Sequence, residues 1–410
     1  MSARLWISAI CLLAAVVRLG AFILFDRFRH PEVWESETIA SNVLAGKGFV
    51  FETLGTPYHS YMEPLYPGLC VLVYRLTNHS FLALGLVQIA LGSALAWLVF
   101  ACARRVVPEG AALVSALLAA LHPGLIVYTT KFHPFTLDVA LWCAAFAALL
   151  AFSPNRPWRS ACAAGFILGL CILTRPTILA CVPMFGWWIW QRSSRQTVQA
   201  AARLMALLAC AAVVVTPWVW RNYEVQQRFI LTRSGTSFVF WLGNNPYIFT
   251  GSAMTADGGE VVAWVPGPVQ DRLHQLDELG QQDYFRQEAF RFVASHPAEF
   301  LKRSALKFAY FWWFSPQAGL LYPAGWRHGY EGFYVIIVAL AAAGVWTRWR
   351  ARLTRPTTWT ATLMLLGCCL SIGLLQSVYY VEGRHRLAIE PLLLIFAGAG
   401  VHRLTRRQVA

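Results

Sequence analysis

Charged residues are scarce in this sequence. Only 13% of its 410 residues are Asp, Glu, Lys or Arg, whereas about 25% is usual in a soluble globular domain. Hydrophobic residues make up 57% of the chain, and its mean hydropathy is +0.50. These values exclude a soluble globular protein and indicate an all-α polytopic membrane protein.

Several hallmarks of other protein classes are also missing. The ten cysteines fall in apolar segments and the region 221–331 has none, which argues against a disulfide framework and a thiolate metal site. The sequence has no glycine-rich phosphate loop, tandem repeat or low-complexity tract. Most of the net charge of +14 comes from short loops between apolar segments, so no nucleic-acid partner is predicted.

Long apolar segments dominate the chain. A membrane-spanning helix needs roughly 20 mainly apolar residues, and we predict about ten such helices. They are expected at residues 4–25, 80–103, 110–129, 134–152, 158–174, 176–191, 199–220, 331–348, 358–380 and 386–402. Arg18 interrupts the first span and no small-residue cleavage site follows, so this span is predicted to stay as an anchor.

Basic residues concentrate on one side of these predicted spans. Arg104 and Arg105, the arginines between 348 and 355, and those between 403 and 407 all fall on that side. The positive-inside rule makes this side cytoplasmic. The chain is therefore predicted to lie in the cell membrane with both termini in the cytoplasm.

Four separate pieces are then predicted to face outward, or toward the periplasm. They are the large first outer loop (26–67), the turn at Lys131 and His133, the segment 221–330 and the turn 382–386. This topology divides the chain into an N-terminal transmembrane module, 1–220, an outer segment, 221–330, and C-terminal transmembrane helices, 331–410.

The outer segment is expected to be a small α+β unit. Phe229–Asn245 alternates and is aromatic, which favours one or two strands. Asp271–Phe292 has the spacing of an amphipathic helix. Lys302–Phe314 combines basic and aromatic residues, which is typical of an interfacial helix that returns the chain to the bilayer.

Carboxylates cluster in the first outer loop. Pro31 suits the first turn of a helix that Gly46 and Gly48 end, which places Glu32, Glu35 and Glu37 in its first two turns. Acids there can simply favour the positive end of the helix dipole. The alternative is that one of them is a general base at the mouth of a membrane cavity. Residue chemistry alone favours the first explanation.

Arginines also occur on the outward side, where the positive-inside rule disfavours them. They are Arg175, Arg221, Arg228, Arg233, Arg384 and Arg386. Headgroup contacts or pairing with Glu382 and Glu390 would account for any one of them. Together they indicate a site for an anionic lipid phosphate at membrane level.

These two features suggest one reaction class. A sugar linked to a lipid phosphate has a leaving group that departs as an anion, so the acceptor hydroxyl needs a base but the leaving group needs no acid. One carboxylate and several cations are the minimum set for direct displacement at the anomeric carbon. Such a displacement inverts that carbon.

The run Pro31–Phe49 (PEVWESETIASNVLAGKGF) resembles the first outer loop of GT-C type membrane glycosyltransferases. This is the group of protein mannosyltransferases and lipid A aminoarabinose transferases, or glycosyltransferase family 39. In that group an acid follows Pro, and an Ile-Ala or Ile-Ser pair comes seven and eight residues later. On that spacing the family's catalytic acid corresponds to Glu32, counted back from Ile39 and Ala40.

Other short motifs follow in the family's order. They are EPLYP at Glu63–Pro67, LTRP at Leu173–Pro176, TPWVWRNY at Thr216–Tyr223, WLGNNP at Trp241–Pro246 and EGRHRLAIEP at Glu382–Pro391. The resemblance implies a GT-C fold, a polyprenyl-phosphate-linked hexose or pentose donor, and a lipid, glycan or protein acceptor presented outside. Arg384 and Arg386 would then hold the donor phosphate, with Arg175 and Arg221 nearby.

The chain departs from the family pattern at three places. Glu replaces the usual Asp at position 32, and Glu63 replaces a basic residue before the LYP turn. The second outer loop carries Lys131 and His133 where relatives commonly have an acid, so we hypothesise that Lys131 binds the phosphate. The remaining residues expected in the substrate pocket are Glu63, Tyr66, His133 and His385.

Three further possibilities stay open at this point. No metal site is assigned to His133 or His385, but magnesium or manganese held by carboxylates alone remains an alternative. A lipid transporter or flippase also uses many spans and outward arginines, although transporters usually have related halves. Here the halves differ in length and charge, and Asp138 is the clearest acid inside a span. A noncatalytic membrane sensor that binds a partner through 221–331 is the third class.

Overall fold

The computed structural model describes residues 2–247, 267–314 and 324–407, and most of them are helical. The helices before the middle of the chain are α1 (Ala3–Leu24), α2 (Glu35–Leu44), α3 (Leu65–Thr77), α4 (Phe81–Val106), α5 (Glu109–Ala120), α6 (Pro123–Thr129), α7 (Phe135–Leu150) and α8 (Pro157–Ile172). The later helices are α9 (Val182–Arg192), α10 (Thr197–Gln226), α11 (Thr236–Leu242), α12 (Gly267–His274), α13 (Glu278–Ser295), α14 (Pro297–Trp312), α15 (Ala324–Arg350), α16 (Pro356–Val378) and α17 (Glu390–Arg407). Short 3-10 helices at Pro176–Cys181 and Gly383–Ala388 precede α9 and α17.

Five of the described helices are long and apolar enough to cross a membrane, which confirms the polytopic all-α fold class. They are α1, α4, α10, α16 and the part of α15 from Trp326 to Arg350. The bent pair α5 and α6 makes a sixth when it is counted as one span. Three more apolar helices, α3, α7 and α8, are shorter than a full span. The predicted number of about ten is therefore not confirmed.

A buried arginine explains the break inside the α5–α6 span. The Arg18 guanidinium of α1 donates to the carbonyl oxygens of Ala119 at 3.3 Å and Ala120 at 3.0 Å, at the end of α5. These carbonyls have no partner within their own helix because α5 stops there. Gly92 of α4 leaves room for this contact, since a Cβ there would lie 2.7 Å from Arg18 Nε. Arg18, the polar residue that interrupts the first span, thus donates hydrogen bonds to the carbonyl groups that are freed where α5 and α6 meet at 49°.

The C-terminal helices pack closely through small residues. A Cβ on Gly344 of α15 would lie 1.9 Å from the Phe396 carbonyl oxygen of α17, and one on Gly400 of α17 would lie 2.2 Å from the Leu340 carbonyl oxygen. Close approach of backbones at glycine is a common way for helices to associate in membranes. It fixes the position of α17, and so of the 383–388 turn before it.

The helix with the clustered acids begins later than predicted. Trp34 is the N-cap of α2 and has an extended backbone, so Pro31 and Glu32 precede the helix instead of forming its first turn. Glu35 and Glu37 do lie in the first turn, as predicted. A hairpin of two three-residue strands, Phe51–Thr53 and Thr56–Tyr58, follows α2 in the same loop.

The predicted α+β outer segment is helical in the residues described. The expected strands at Phe229–Asn245 are absent there, and the middle of this stretch forms α11. Its apolar residues Phe238, Trp241 and Leu242 have helical spacing, and they pack against Phe285 of α13 and its neighbours. This packing outweighs the strand preference of the aromatic residues.

The two other stretches of this segment that were predicted to be helical are helical, but their helices begin and end at different residues. The amphipathic helix expected at Asp271–Phe292 is split into α12 and α13, because Asp277 is the N-cap of a new helix and its carboxylate accepts from the Gly280 N–H. The interfacial helix expected at Lys302–Phe314 is α14, which begins earlier, at Pro297.

Candidate active site

The Glu32 carboxylate lies between two cationic side chains. Its carboxylate accepts a hydrogen bond from the Lys131 ammonium, and its other oxygen lies 2.8 Å from Arg27 Nη2. The Phe132 N–H also approaches the Glu32 carbonyl oxygen, at 3.4 Å. The loop that follows α1 is therefore joined to the turn between α6 and α7 at this carboxylate.

Lys131 is held in place from both ends. Its side chain is only 3% exposed, and its carbonyl oxygen accepts from Gln88 Nε2 of α4 at 2.7 Å. Burial lowers the pKa of Lys131, the bond to Glu32 raises it in part, and the charges of Arg27 and Arg384 lower it further. An ammonium in such surroundings gains from any additional anion nearby.

The other two acids of the cluster, Glu35 and Glu37, differ in their hydrogen bonds and ion pairs. Glu37 accepts from Ser41 Oγ at 3.0 Å and pairs with His79 Nε2 at 3.2 Å, so it links α2 to the end of α3. Glu35 has no cation within 4 Å in the described part of the chain, and its carboxylate accepts only a long bond of 3.5 Å from the Tyr61 hydroxyl. Glu35 thus keeps free hydrogen-bonding capacity.

Arg384 reaches the same region from the opposite end of the chain. Its guanidinium lies over the Trp34 ring, 6.0 Å from the ring centroid, and pairs with the Glu382 carboxylate. Burial opposes the charge on Arg384, but Glu382 and Tyr380 outweigh it and raise the pKa. Arg384 is therefore a permanent cation beside the residue two positions after Glu32.

The two histidines are buried and neutral. His133 lies edge-on to Trp34 and stacks on Phe135, and its Nδ1 accepts from the Phe135 N–H at 3.3 Å. His385 Nδ1 accepts from the Glu382 N–H at 3.2 Å. Burial, followed by the charges of Arg384 and Arg175, lowers the pKa of both histidines well below the usual value.

Arg386, in contrast, has all its hydrogen bonds inside the protein. It is 1% exposed, and its guanidinium donates to Glu390 at 2.9 Å, to the Tyr330 hydroxyl at 2.8 Å and to the Trp313 carbonyl at 3.0 Å. His122 Nε2 pairs with the second Glu390 oxygen at 2.6 Å. This network anchors the turn that carries Arg384, and it does not bring Arg386 to Glu32.

The two remaining predicted arginines lie at the edges of the site. Arg175 Nε is 3.4 Å from Asp138, and its guanidinium lies 4.0 Å above the Phe135 ring. Arg221 donates to the His59 carbonyl and lies over the Trp218 ring at 4.9 Å. Arg175 is thus next to His133 and its neighbours, whereas Arg221 mainly ties α10 to the hairpin loop.

Glu63 and Tyr66, both predicted to line the substrate pocket, lie in different surroundings. Glu63 lies 3.8 Å from Arg233, whose guanidinium is over the Tyr61 ring at 5.8 Å. Glu63 therefore belongs to the group around Glu35 and Tyr61. Tyr66 is buried in an apolar cluster with Phe22, Cys70 and their neighbours, so it is part of the packed core and does not line the site.

Sequence analysis does not identify three residues that complete the site, namely Arg27, Trp34 and Tyr61. Arg233 is one of the outward arginines noted in the sequence, and Glu382 is a partner suggested there for such an arginine; the structure pairs them with Glu63 and Arg384. Arg27 lies on the predicted outward side, so its charge is a usable signal. The two aromatic residues carry no such signal, because aromatic residues are frequent throughout this chain. In residues 2–247, 267–314 and 324–407, no three His, Cys, Asp or Glu side chains are grouped so as to hold a metal ion.

A comparison with known protein families finds a match in the first half of the chain. Residues 59–220 match the sequence profile of the family dolichyl-phosphate-mannose-protein mannosyltransferase. The match includes Glu63, Lys131 and Arg175, but not Glu32 or Arg384. A comparison with curated proteins finds no match.

Two solved membrane enzymes have a similar fold. ArnT from Cupriavidus metallidurans bound to undecaprenyl phosphate superposes with a TM-score of 0.60 at 15% identity, over 98% of this chain and 61% of that one. The archaeal oligosaccharyltransferase AglB from Archaeoglobus fulgidus, in complex with an inhibitory peptide and a dolichol-phosphate, gives 0.57 at 13% identity, over 98% of this chain and 50% of that one. This chain thus spans between half and two thirds of their lengths. The resemblance found in the motifs is confirmed, and the chain has the fold of the GT-C membrane glycosyltransferases, with the protein mannosyltransferase signature in residues 59–220.

Proposed function

We propose that this protein is an inverting glycosyltransferase that moves a sugar from a polyprenyl-phosphate-linked donor to an acceptor on the outer face of the membrane. The observation that carries the proposal is the Glu32 carboxylate, held by Lys131 and Arg27 beside the Arg384 guanidinium. These residues come from three separate parts of the chain. A base and cations for a phosphate are the parts that the reaction needs.

In the proposed reaction, the acceptor hydroxyl oxygen attacks the anomeric carbon of the donor. The bond from that carbon to the phosphate oxygen breaks, and polyprenyl phosphate leaves with the electron pair. Glu32 takes the hydroxyl proton. Attack from the face opposite the leaving group inverts the anomeric carbon.

The pairing of Glu32 with Lys131 fits a role for both residues. Both carboxylate oxygens of Glu32 are engaged, one by Lys131 and the other by Arg27. A donor phosphate beside Lys131 and Arg384 would draw the ammonium away from Glu32 and free that oxygen to accept the hydrogen bond of the acceptor hydroxyl. Donor binding would then prepare the base for the acceptor.

Glu35 is proposed to position the acceptor or the sugar. It has no cation of its own, and Tyr61 and Arg233 lie next to it with further hydrogen-bonding groups. Arg233 Nε and Trp34 Nε1 are buried without a hydrogen-bond partner in the described residues. Sugar hydroxyls, which both donate and accept, would satisfy all of these groups.

The donor class rests on the structural neighbours and the fold. ArnT is described with undecaprenyl phosphate, and AglB with a dolichol-phosphate and a peptide. We infer a lipid-phosphate donor of the same chemistry here, a hexose or pentose as the sugar, and a lipid, glycan or protein as the acceptor. The positive-inside rule supports a site that faces outward and termini that lie in the cytoplasm, with 1–220 supplying Glu32 and Lys131, and 331–410 supplying Arg384.

Sugar transfer by the full chain in lipid nanodiscs tests this proposal. The donor and acceptor classes would come from mass spectrometry of envelope glycolipids and glycoproteins in cells with and without the gene. Glu32→Gln should then lower the transfer rate about 100- to 10,000-fold, the usual contribution of a general base. Binding of polyprenyl phosphate should persist in this variant.

Glu37→Gln is the matched control, because Glu37 is a carboxylate of the same helix region that pairs with His79 away from Lys131. It should retain most of the activity. An active Glu32→Gln protein would show that the base is another residue. Movement of labelled lipid across the bilayer without any sugar transfer would instead favour a flippase. Activity that chelators abolish would add a divalent cation to the site.

A further inference from the structure

The last turn of α15 contains a buried arginine, Arg348. It is 6% exposed, and its Nε and Nη2 atoms have no hydrogen-bond partner in the part of the chain that the structure describes. Each cationic side chain discussed above at the active site has a carboxylate, hydroxyl or carbonyl contact. Arg348 is far from that site along α15, since the network around Tyr330 lies near the opposite end of the same helix.

More positive charge surrounds Arg348. The charge of Arg355, the N-cap of α16, acts against it, and Arg403 of α17 donates to Thr347 Oγ1 at 3.2 Å. Arg350 is in the same turn of α15. No ion pair joins these four arginines to a carboxylate within 2–247, 267–314 and 324–407.

Membrane topology alone explains only the exposed members of this cluster. Arg350 lies over the Trp346 ring at 5.1 Å and Arg352 over the Trp349 ring at 4.3 Å, as expected where arginines and tryptophans meet lipid headgroups. These side chains keep their contact with water or headgroups. Arg348 is largely buried, and burying a charge without a partner is strongly unfavourable.

The N-terminus of α16 adds a second attraction for an anion. This helix has 23 residues, and its N-cap Arg355 forms no side-chain hydrogen bond to the first turn. The free N–H groups and the helix dipole therefore favour a negative group at this end. Buried guanidinium, flanking arginines and an uncapped helix start occur together between α15, α16 and α17.

We propose that Arg348, with Arg355 and Arg403, binds the phosphate of an anionic phospholipid headgroup. Arginine matches phosphate through paired N–H donors, and a lipid phosphate is the anion present at the level of a tryptophan belt. The stacked rings of Trp346 and Trp349, 4.8 Å apart, would lie against the same lipid. The site is separate from the sugar-transfer site and does not depend on the proposed reaction.

Lipid retention by the purified full chain tests this proposal. Nanodiscs of phosphatidylcholine alone and of phosphatidylcholine mixed with phosphatidylglycerol would be compared by native mass spectrometry and thermal unfolding. The wild-type protein should retain phosphatidylglycerol selectively and unfold at a higher temperature in the mixed lipid. Arg348→Met should weaken this retention about tenfold or more, as expected for loss of a charge-assisted contact.

Arg350→Met is the matched control, since it removes an exposed arginine from the same helix turn. It should leave the selective retention nearly unchanged. Equal losses in the two variants would show a general surface charge effect, and equal retention of both lipids by the wild-type protein would also overturn the proposal. If Arg348→Met fails to fold, Arg348→Lys keeps the charge, and it should retain part of the selectivity. Stabilisation by inorganic phosphate in lipid-free detergent would assign the same site to free phosphate.

Discussion

The Lys131 ammonium, in the turn between α6 and α7, is hydrogen-bonded to the carboxylate of Glu32 in the loop after α1. The two residues are 99 positions apart in the sequence. Lys131 is also close enough to Arg384 for the two charges to repel. One lysine therefore interacts with both the proposed base and the cation proposed to bind the donor phosphate.

Lys131→Met should weaken donor binding. Its ammonium is nearly buried, and a charge-assisted hydrogen bond to phosphate contributes roughly 1.5–3 kcal/mol, which corresponds to about a 10- to 100-fold change in Kd. Binding of polyprenyl phosphate to the purified variant would measure this change. Lys47→Met, which removes an exposed lysine from the loop after α2, should leave the affinity unchanged. Unchanged affinity in the Lys131 variant would remove this residue from the phosphate site.

The position of Lys131 shows what the sequence could predict of the site. The alternation of spans and basic loops predicts that Lys131 and Glu32 lie on the same side of the membrane, and the resemblance to the family predicts Glu32 as the base among three acids. The ion pair between them depends on how α4 and α7 hold the turn, as the bond from Gln88 to the Lys131 carbonyl shows. Such contacts between distant segments leave no periodic pattern in the sequence.

Arg384 and Arg386 should respond differently to substitution. Arg384→Met should lower sugar transfer and donor affinity while the protein stays folded, because its guanidinium faces the proposed phosphate site. Arg386→Met should lower stability by about 3–5 kcal/mol, because it leaves Glu390 buried without its cation. Thermal unfolding in detergent and transfer assays on both variants would separate the two effects. A stable, inactive Arg386→Met protein would contradict this division of roles.

This pair also shows a limit of sequence interpretation. Arg384 and Arg386 are two residues apart in the same motif, and nothing in the sequence distinguishes them as phosphate ligands. The 3-10 turn at 383–388 directs one toward Trp34 and the other toward Tyr330 and Glu390. Likewise, aromatic alternation in Phe229–Asn245 predicts strands, but contacts with α13 select a helix.

Arg18→Met should destabilise the bundle. The substitution leaves the Ala119 and Ala120 carbonyls at the α5 end without their donor, at a cost of roughly 1–3 kcal/mol for an unsatisfied buried group. The unfolding temperature of the variant in detergent should fall. Arg4→Met removes an exposed arginine from the same helix and should have little effect. An unfolding temperature equal to that of the wild type would show that the Ala119 and Ala120 carbonyls find other hydrogen-bond donors.

Lys307 should make the stability of the protein depend on pH. Its ammonium is buried in α14 and donates to the Tyr379 carbonyl at 2.7 Å and the Gly243 carbonyl at 3.2 Å, at the ends of α16 and α11. Burial lowers the pKa of Lys307 from 10.5 to about 7, and Arg303 lowers it further in the same direction. Between these two values the unfolded chain binds a proton that the folded protein has released.

The free energy of unfolding should therefore rise with pH in this window. The cost of the buried charge is fully present below about pH 7 and disappears as the pH approaches the unfolded pKa of 10.5. The unfolding temperature of the wild type, relative to that of Lys307→Met, should increase steadily from about pH 7 to about pH 10. Lys302→Met, at an exposed lysine of the same helix, should show no such trend. If the difference in unfolding temperature between the wild type and Lys307→Met stays constant or falls over this range, the carbonyl contacts keep Lys307 charged.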